Sequence, residues 1–185
     1  MAARAKHNQV RIVGGAWRSR RVRFTPRAGL RPTPDRVRET LFNWLGQDLA
    51  GRECLDLFAG SGALGFEAAS RGARRVVMVE RDAASFQALQ ANRAALGADQ
   101  VELAREGALE FLAADDRQYD VVFLDPPFAT DYWSRLWTLL LPRLKGEALV
   151  YCESRDGALL APGWAAWKQA RAGQVTYQLL KRELA

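Results

Sequence analysis

Between residues 53 and 152, short apolar runs alternate with longer amphipathic ones, and this alternation constrains the fold more than any other feature of the chain. Glu53–Phe58, Arg75–Glu80, Gln100–Ala104, Tyr119–Leu124 and Ala148–Cys152 read as strands. The stretches between them, Ala63–Arg71, Ala83–Leu96, Ala108–Ala113 and Tyr132–Leu144, carry helical spacing. Strands this apolar are buried on both faces, so the pattern predicts an α/β domain: a mostly parallel sheet with helices on either side. The end of the chain breaks the pattern. Trp164–Ala172, Gly173 and Val175–Lys181 read as a hairpin and not as another crossover. Upstream, Thr33-Pro34-Asp35 opens a helix, with Thr33 expected as N-cap and Pro34 at the first helical position. Val37, Leu41, Trp44 and Leu45 give that helix its apolar face.

Composition matters for where the charge lies. The chain of 185 residues has a net charge of +6. Residues 1–34 carry nine basic residues and no acid, eight of the nine being arginine, while the other 151 residues hold 18 basic against 21 acidic. The basic character therefore belongs to an N-terminal arm, read as a unit over residues 1–34 ahead of a second over 35–185. Arg11, Arg18, Arg20, Arg21 and Arg23 interleave with Val10, Ile12, Trp17, Val22 and Phe24, and Gly14-Gly15 supplies a turn. Gln9–Val13 and Arg20–Thr25 thus read as a basic β-hairpin suited to gripping nucleic-acid phosphates. A solvated tail is the competing reading.

Other classes fall away. The longest apolar stretches, such as Leu139-Leu140-Leu141, are far short of the roughly 18 residues of a membrane span. The first residues lack the apolar core of a signal peptide, so a cytoplasmic protein is expected. Two cysteines, Cys54 and Cys152, and one histidine, His7, cannot build a disulfide scaffold or a Cys/His zinc site, and no metal is expected.

In open α/β sheets ligands bind beyond the carboxyl ends of the strands, so those ends carry the functional reading. After the first strand of the sheet, Gly60, Gly62 and Gly65 spell G-x-G-x-x-G within Asp56–Gly65, a loop that brings backbone N–H groups close to a ligand. Asp56 just ahead of the glycines is badly placed for a pyrophosphate but suits a cation. S-adenosylmethionine carries a sulfonium and an ammonium and no phosphate. Asp56 and the loop Phe58, Ala59, Gly60, Ser61, Gly62 are the expected binding site for it. Glu80, at the end of the second strand, can accept the hydroxyls of a ribose. A tight turn and a solvated strand-end acid are the plain alternatives.

The turn Asp125-Pro126-Pro127-Phe128 after the fourth strand is the sharpest signal. Its prolines remove N–H donors and stiffen the backbone, which leaves the carbonyls of Asp125 and Pro126 to accept. A carboxylate, a rigid carbonyl and the Phe128 ring suit a flat base with an exocyclic amine. Two acceptors drawing on the amine hydrogens would localise its lone pair toward an electrophilic methyl. A strand-terminating double proline is the alternative.

Taken together, Asp56–Gly65, Glu80 and Asp125–Phe128 resemble, in order and spacing, the class I S-adenosylmethionine-dependent methyltransferases that modify exocyclic amines. Residues 30–45 followed by 55–65 resemble the RsmD family more narrowly, bacterial 16S rRNA guanine-N2 methyltransferases, and the resemblance spans essentially the whole chain. It implies a Rossmann-like fold with a seven-stranded sheet whose last strand is antiparallel. It also implies one target guanine, guanine 966 in the usual rRNA numbering, met in an assembled or nearly assembled small ribosomal subunit by a monomeric enzyme. Arg31, Thr33 and Arg36 would line the mouth between arm and cofactor, with Arg36 and Arg38 open to being plain solvated helix charges. There is one departure from the family pattern. Where the family has an Asp-Ala pair after the third strand, this chain has Gly107-Ala108. Backbone N–H groups of Gly107 or Ala108 can still meet the adenine, but a side-chain contact would fall to Glu106. A nicotinamide-dependent oxidoreductase, a non-catalytic ribosome-assembly factor and a DNA adenine methyltransferase remain the rivals.

Overall fold

The computed structural model describes residues 8–26, 30–126, 130–154 and 160–183. Within them the chain runs β1 (Gln9–Arg11), β2 (Arg21–Arg23), α1 (Asp35–Trp44), β3 (Glu53–Asp56), α2 (Ala63–Ser70), β4 (Arg75–Val79) and α3 (Ala83–Leu96). It continues through β5 (Val101–Ala104), α4 (Ala108–Ala114), β6 (Tyr119–Leu124), α5 (Thr130–Leu140), β7 (Leu144–Ser154), β8 (Trp164–Ala172) and β9 (Val175–Arg182). The alternation read from the sequence is present throughout.

Strands β3 to β9 form one seven-stranded sheet in the order β5-β4-β3-β6-β7-β9-β8. Neighbours from β5 to β7 are parallel, while β9 runs antiparallel to both β7 and β8. The last strand is therefore the antiparallel one, and the terminal hairpin is β8–β9. The chain builds outward from β3 to β5 and then crosses back to β6 on the other side of β3. That reversal opens a crevice between the carboxyl ends of β3 and β6.

Side-chain alternation splits the core into two layers. Cys54, Met78, Phe123 and Tyr151 face a cluster with α1, α2, α3 and the β1–β2 hairpin. Leu55, Val77, Leu124 and Cys152 face the cluster of α4, α5 and Trp164. Full burial of each large apolar side chain contributes roughly 1.5–3 kcal/mol. The two cysteines lie in opposite layers, both buried. Among the described residues no helix is long and apolar enough to cross a membrane.

The basic hairpin exists, with shorter strands than the sequence suggests. Val10 pairs with Val22 in register, and both point into the core, while Arg11, Arg21 and Arg23 point out. Its turn is tied to α2: Val13 N–H and Gly14 N–H donate to the two oxygens of Glu67 (2.9 and 2.8 Å), and Ala16 N–H donates to the Ser70 carbonyl (2.7 Å). Asn92 of α3 brackets the Arg23 backbone, accepting from its N–H and donating to its carbonyl.

Two expectations about α1 need correction. Thr33 is not the N-cap; Pro34 holds that position without a side-chain cap, and the helix starts at Asp35. The Thr33 hydroxyl instead donates to Glu153 Oε1 across the fold (2.8 Å), a stronger use for it than a local backbone N–H because the acceptor is charged. Nor is Arg38 a solvated helix charge. It is fully buried, donating to Glu67 Oε2 (3.0 Å), to Asp35 and to the Thr33 carbonyl.

Candidate active site

The end of β3 is built around Asp56. Its register with Met78 on β4 and Phe123 on β6 sets it on the α1 face of the sheet. Only 3% exposed, its carboxylate accepts the Gly65 N–H (2.9 Å), which ties the start of the glycine loop to its end. Gly60 and Gly62 have φ of 51° and 79°, conformations that favour glycine. A side-chain carbon on Gly60 would lie 2.8 Å from Leu30 Cδ1, so the loop is roofed directly by the segment leading into α1. Burial, with Asp125 and Glu80 repelling, raises the Asp56 carboxyl to about 7 against the Gly65 hydrogen bond that opposes the rise. A carboxylate held this way is a place for a positive charge and a poor one for a pyrophosphate.

Glu80 follows β4 and closes the loop from the other side. Its Oε2 accepts the Gly60 N–H (3.0 Å) and its Oε1 the Asp82 N–H (2.7 Å).

Asp125 stands one residue past β6 and Pro126 is buried behind it. Solvent reaches the Asp125 side chain through the cleft, yet protein surrounds the rest of it. Desolvation, together with the nearby Glu153 carboxylate, raises its carboxyl to about 7. Pro127 and Phe128, named from the sequence, lie outside the described residues.

Asp56 and Asp125 meet in one cavity between the carboxyl ends of β3 and β6. The glycine loop from Phe58 to Ser61 forms its floor, and Leu30, Arg31, Pro32 and Thr33 cover it. Arg31 and Thr33 therefore reach this mouth, whereas Arg36 is exposed on α1 and is not among the lining residues. Gly107 and Ala108 stand apart from that cavity as the N-cap and first residue of α4. Arg11, Arg18, Arg20, Arg21 and Arg23 of the arm are exposed. Arg11 pairs with Asp35 (3.0 Å), Arg20 donates to the Ala95 carbonyl (2.6 Å) and Arg21 to Gln9 Oε1 (3.4 Å).

Three residues around the site were not singled out in the sequence. Glu153 on β7 accepts from both Thr33 and Tyr151. Glu110, on the first turn of α4, folds back so that its Oε2 occupies the place where a Gly107 side chain would begin. Glu110 is thus a second acid beside Gly107, in addition to its chain neighbour Glu106. Tyr132 of α5 packs against Phe58, ring centroids 6.1 Å apart. Only the i, i+3 spacing of Glu110 from Gly107 was visible as a cue. Among the described residues, no three His, Cys, Asp or Glu side chains converge as a metal site.

A family profile described as "Conserved hypothetical protein 95" matches residues 10–181. The chain is also 44% identical over 180 residues to the Escherichia coli K12 protein named "Ribosomal RNA small subunit methyltransferase D", covering 95% of this chain and 91% of that one. The chain belongs to the RsmD family of methyltransferases. A Haemophilus influenzae member with the same name is 43% identical over 179 residues, covering 92% of this chain and 93% of its own. The RsmD-family likeness extends to three dimensions. A solved Escherichia coli structure titled "Putative methyltransferase yhhF" superposes with a TM-score of 0.85 at 44% identity, covering 96% of this chain and 99% of that one. The fold alone is shared more widely. A Salinibacter ruber RNA methyltransferase, solved with S-adenosyl-L-homocysteine, matches with a TM-score of 0.64 at 23% identity, over 84% of this chain and 95% of that one.

Proposed function

We propose that this chain transfers a methyl group from S-adenosylmethionine to the exocyclic N2 amine of one guanine of small-subunit rRNA, guanine 966 in the usual numbering. The observation that carries the reading is the meeting of Asp56, the glycine loop and Asp125 in a single cavity at the β3/β6 reversal, with Pro126 next in the chain. The names of the relatives support the substrate class.

The donor set fits the cofactor. Asp56, held near 7 by burial and by neighbouring acids, regains its charge when an ammonium binds beside it. Phe58, Ala59, Gly60, Ser61 and Gly62 offer backbone and close approach, Glu80 its strand-end carboxylate to the ribose hydroxyls, and the Gly107 and Ala108 N–H groups the adenine edge. When bound, S-adenosylmethionine supplies an electrophilic methyl on a positively charged sulfur.

This chain's residues do the rest. The Asp125 carboxylate and the Pro126 carbonyl accept the two amine hydrogens, fixing the amine in line and turning its lone pair out of the ring. Phe128, from the same Asp125-Pro126-Pro127-Phe128 motif, stacks on the base. The amine nitrogen gains a bond to the methyl carbon as that carbon's bond to sulfur breaks, with S-adenosylhomocysteine as the leaving group, and the nitrogen must then shed one proton. Asp125, raised to about 7, is matched to accept it. Orientation is the main source of rate.

Arg11, Arg18, Arg20, Arg21 and Arg23 grip rRNA phosphates from the arm of residues 1–34, with Arg31, Thr33 and Arg36 at the mouth between arm and cofactor, ahead of the body of the methyltransferase unit of residues 35–185. The enzyme acts as a cytoplasmic monomer on an assembled or nearly assembled subunit. Labelled-methyl transfer to undermethylated small subunits, with the modified nucleotide mapped by mass spectrometry, tests the reading. Label on any group other than a guanine N2 amine sinks it.

A further inference from the structure

Glu153, on β7, borders the cleft through its hydrogen bond with the lining residue Thr33. It follows Cys152, which pairs with Leu124 in the parallel ladder between β6 and β7. One further step of that register sets Glu153 beside Asp125. Tyr151 and Phe123, two residues earlier on each strand, both belong to the α1-side core, so strand alternation puts the two acids on that same face.

Two donors fix the Glu153 side chain. Thr33 Oγ1–H reaches it at 2.8 Å and the Tyr151 hydroxyl at 2.9 Å, and both bonds fall on Oε1. Oε2 has no hydrogen-bond partner among the described residues. Glu153 is half-buried, and its charge is near enough to hinder ionisation of Asp125. Two neighbouring carboxylates, one anchored through a single oxygen, are a costly arrangement unless a ligand brings donors to them.

Guanine brings two adjacent donors. Its N1–H lies next to the N2 amine on the Watson–Crick edge, whereas adenine and 2-aminopurine present a bare, accepting N1. Resting on the reading that guanine N2 is the methyl acceptor, we propose that Glu153 Oε2 accepts the guanine N1–H while Asp125 and Pro126 hold the amine. Glu153 is then the specificity-determining residue that separates guanine from bases whose N1 carries no proton. Thr33 acts through it as a positioning residue, which links the segment over the cofactor loop to the choice of base.

The test uses the full-length protein and small subunits reconstituted with 16S rRNA carrying either guanine or 2-aminopurine at the target nucleotide. Both bases have the N2 amine. Wild-type protein is expected to favour guanine by about tenfold or more in kcat/KM. Glu153→Gln keeps a carbonyl for Thr33 and Tyr151 but puts an amide N–H where Oε2 was. That donor opposes the guanine N1–H and suits the bare N1 of 2-aminopurine, so the preference should invert. Equal losses on both substrates, or none on either, would overturn the proposal and leave Glu153 a brace for Thr33. S-adenosylhomocysteine binding by calorimetry reports whether the variant is folded. Should it not fold, equal turnover of the two substrates by wild-type protein overturns the proposal by itself. Absence of N2 methylation by wild-type protein is a different result, and it removes the proposed function first.

Discussion

Arg38 and Glu67 form an ion pair at 3.0 Å in which neither side chain is exposed at all. Glu67 also accepts from Arg71 (2.9 Å) and from two N–H groups of the hairpin turn. Burial lowers the Arg38 pKa, opposed by Glu67 and Asp35. One carboxylate thus joins the arm, α1 and the helix that follows the cofactor loop. Removing one member of such a buried pair strands the other, at a typical cost of about 3–5 kcal/mol. Glu67→Ala is therefore expected to lower unfolding free energy by about that amount in a denaturant titration. It should also speed tryptic cleavage within residues 11–23 under native conditions. A variant as stable and as protease-resistant as wild type would show that the node is dispensable.

Asp56 sets stability against binding. Its folded pKa of about 7 lies above the ordinary carboxylate value, so the folded protein binds more protons than the unfolded chain between about pH 4 and 7. The sign follows: cofactor-free stability from this group is fully present below the unfolded pKa and is lost as pH rises through the folded one. Asp56→Asn keeps an acceptor for Gly65 N–H and removes the titration. At pH 8 it should raise cofactor-free stability by on the order of 1–4 kcal/mol. Because a cationic ligand needs the ionised form, S-adenosylmethionine affinity of the wild type should fall as pH drops below 7. In the variant it should be weak and nearly flat with pH. Calorimetry across pH 6–8 reads both, and a pH-independent wild-type affinity would refute the assignment.

The parts of this site that sequence revealed are those made by neighbours in the chain. The glycine loop, Asp56 ahead of it and the Asp125-Pro126 turn are contiguous, and their chemistry follows from order and spacing. Glu67, Arg38 and Glu153 stayed hidden because each acquires its role from a partner far along the chain. Glu67 meets Val13 and Gly14 across 54 and 53 residues, and Glu153 meets Thr33 across 120. On its helix Glu67 is indistinguishable from a solvated charge until the hairpin is laid over it. The misread Thr33 shows the same limit: a local cap was the natural reading, and a distant carboxylate took the hydroxyl.

Glu110 is expected to compensate for the glycine at 107. Its carboxylate occupies the space into which an acid at 107 would project. Glu110→Ala should weaken S-adenosylhomocysteine binding by about 3–10-fold, the typical net value of one ordinary hydrogen bond. Adding Gly107→Asp to that variant should restore affinity, since the acid is then supplied from the residue before the helix. Calorimetry on the wild type, the single variant and the double variant decides it. No loss in the single variant, or no recovery in the double, counts against the compensation.

The hairpin arginines should act on the RNA step alone. Arg18, Arg21 and Arg23 are exposed, and the hairpin is held chiefly by the buried Val10 and Val22, with only a long 3.4 Å bond from Arg21 to Gln9 added by these arginines. Replacing the three with alanine removes charge and leaves the packing that anchors the arm. If each contacts one phosphate, the slope of log affinity against log salt should fall by about 1 per arginine removed, or about 0.7 for a single-stranded contact. The KM for undermethylated small subunits should rise, while S-adenosylhomocysteine affinity and unfolding free energy stay at wild-type values. Arg11 and Arg20 are poorer choices, because Asp35 and the Ala95 carbonyl already engage them and their loss would perturb the free protein as well. An unchanged salt slope in the triple variant would move the RNA-binding surface off the hairpin.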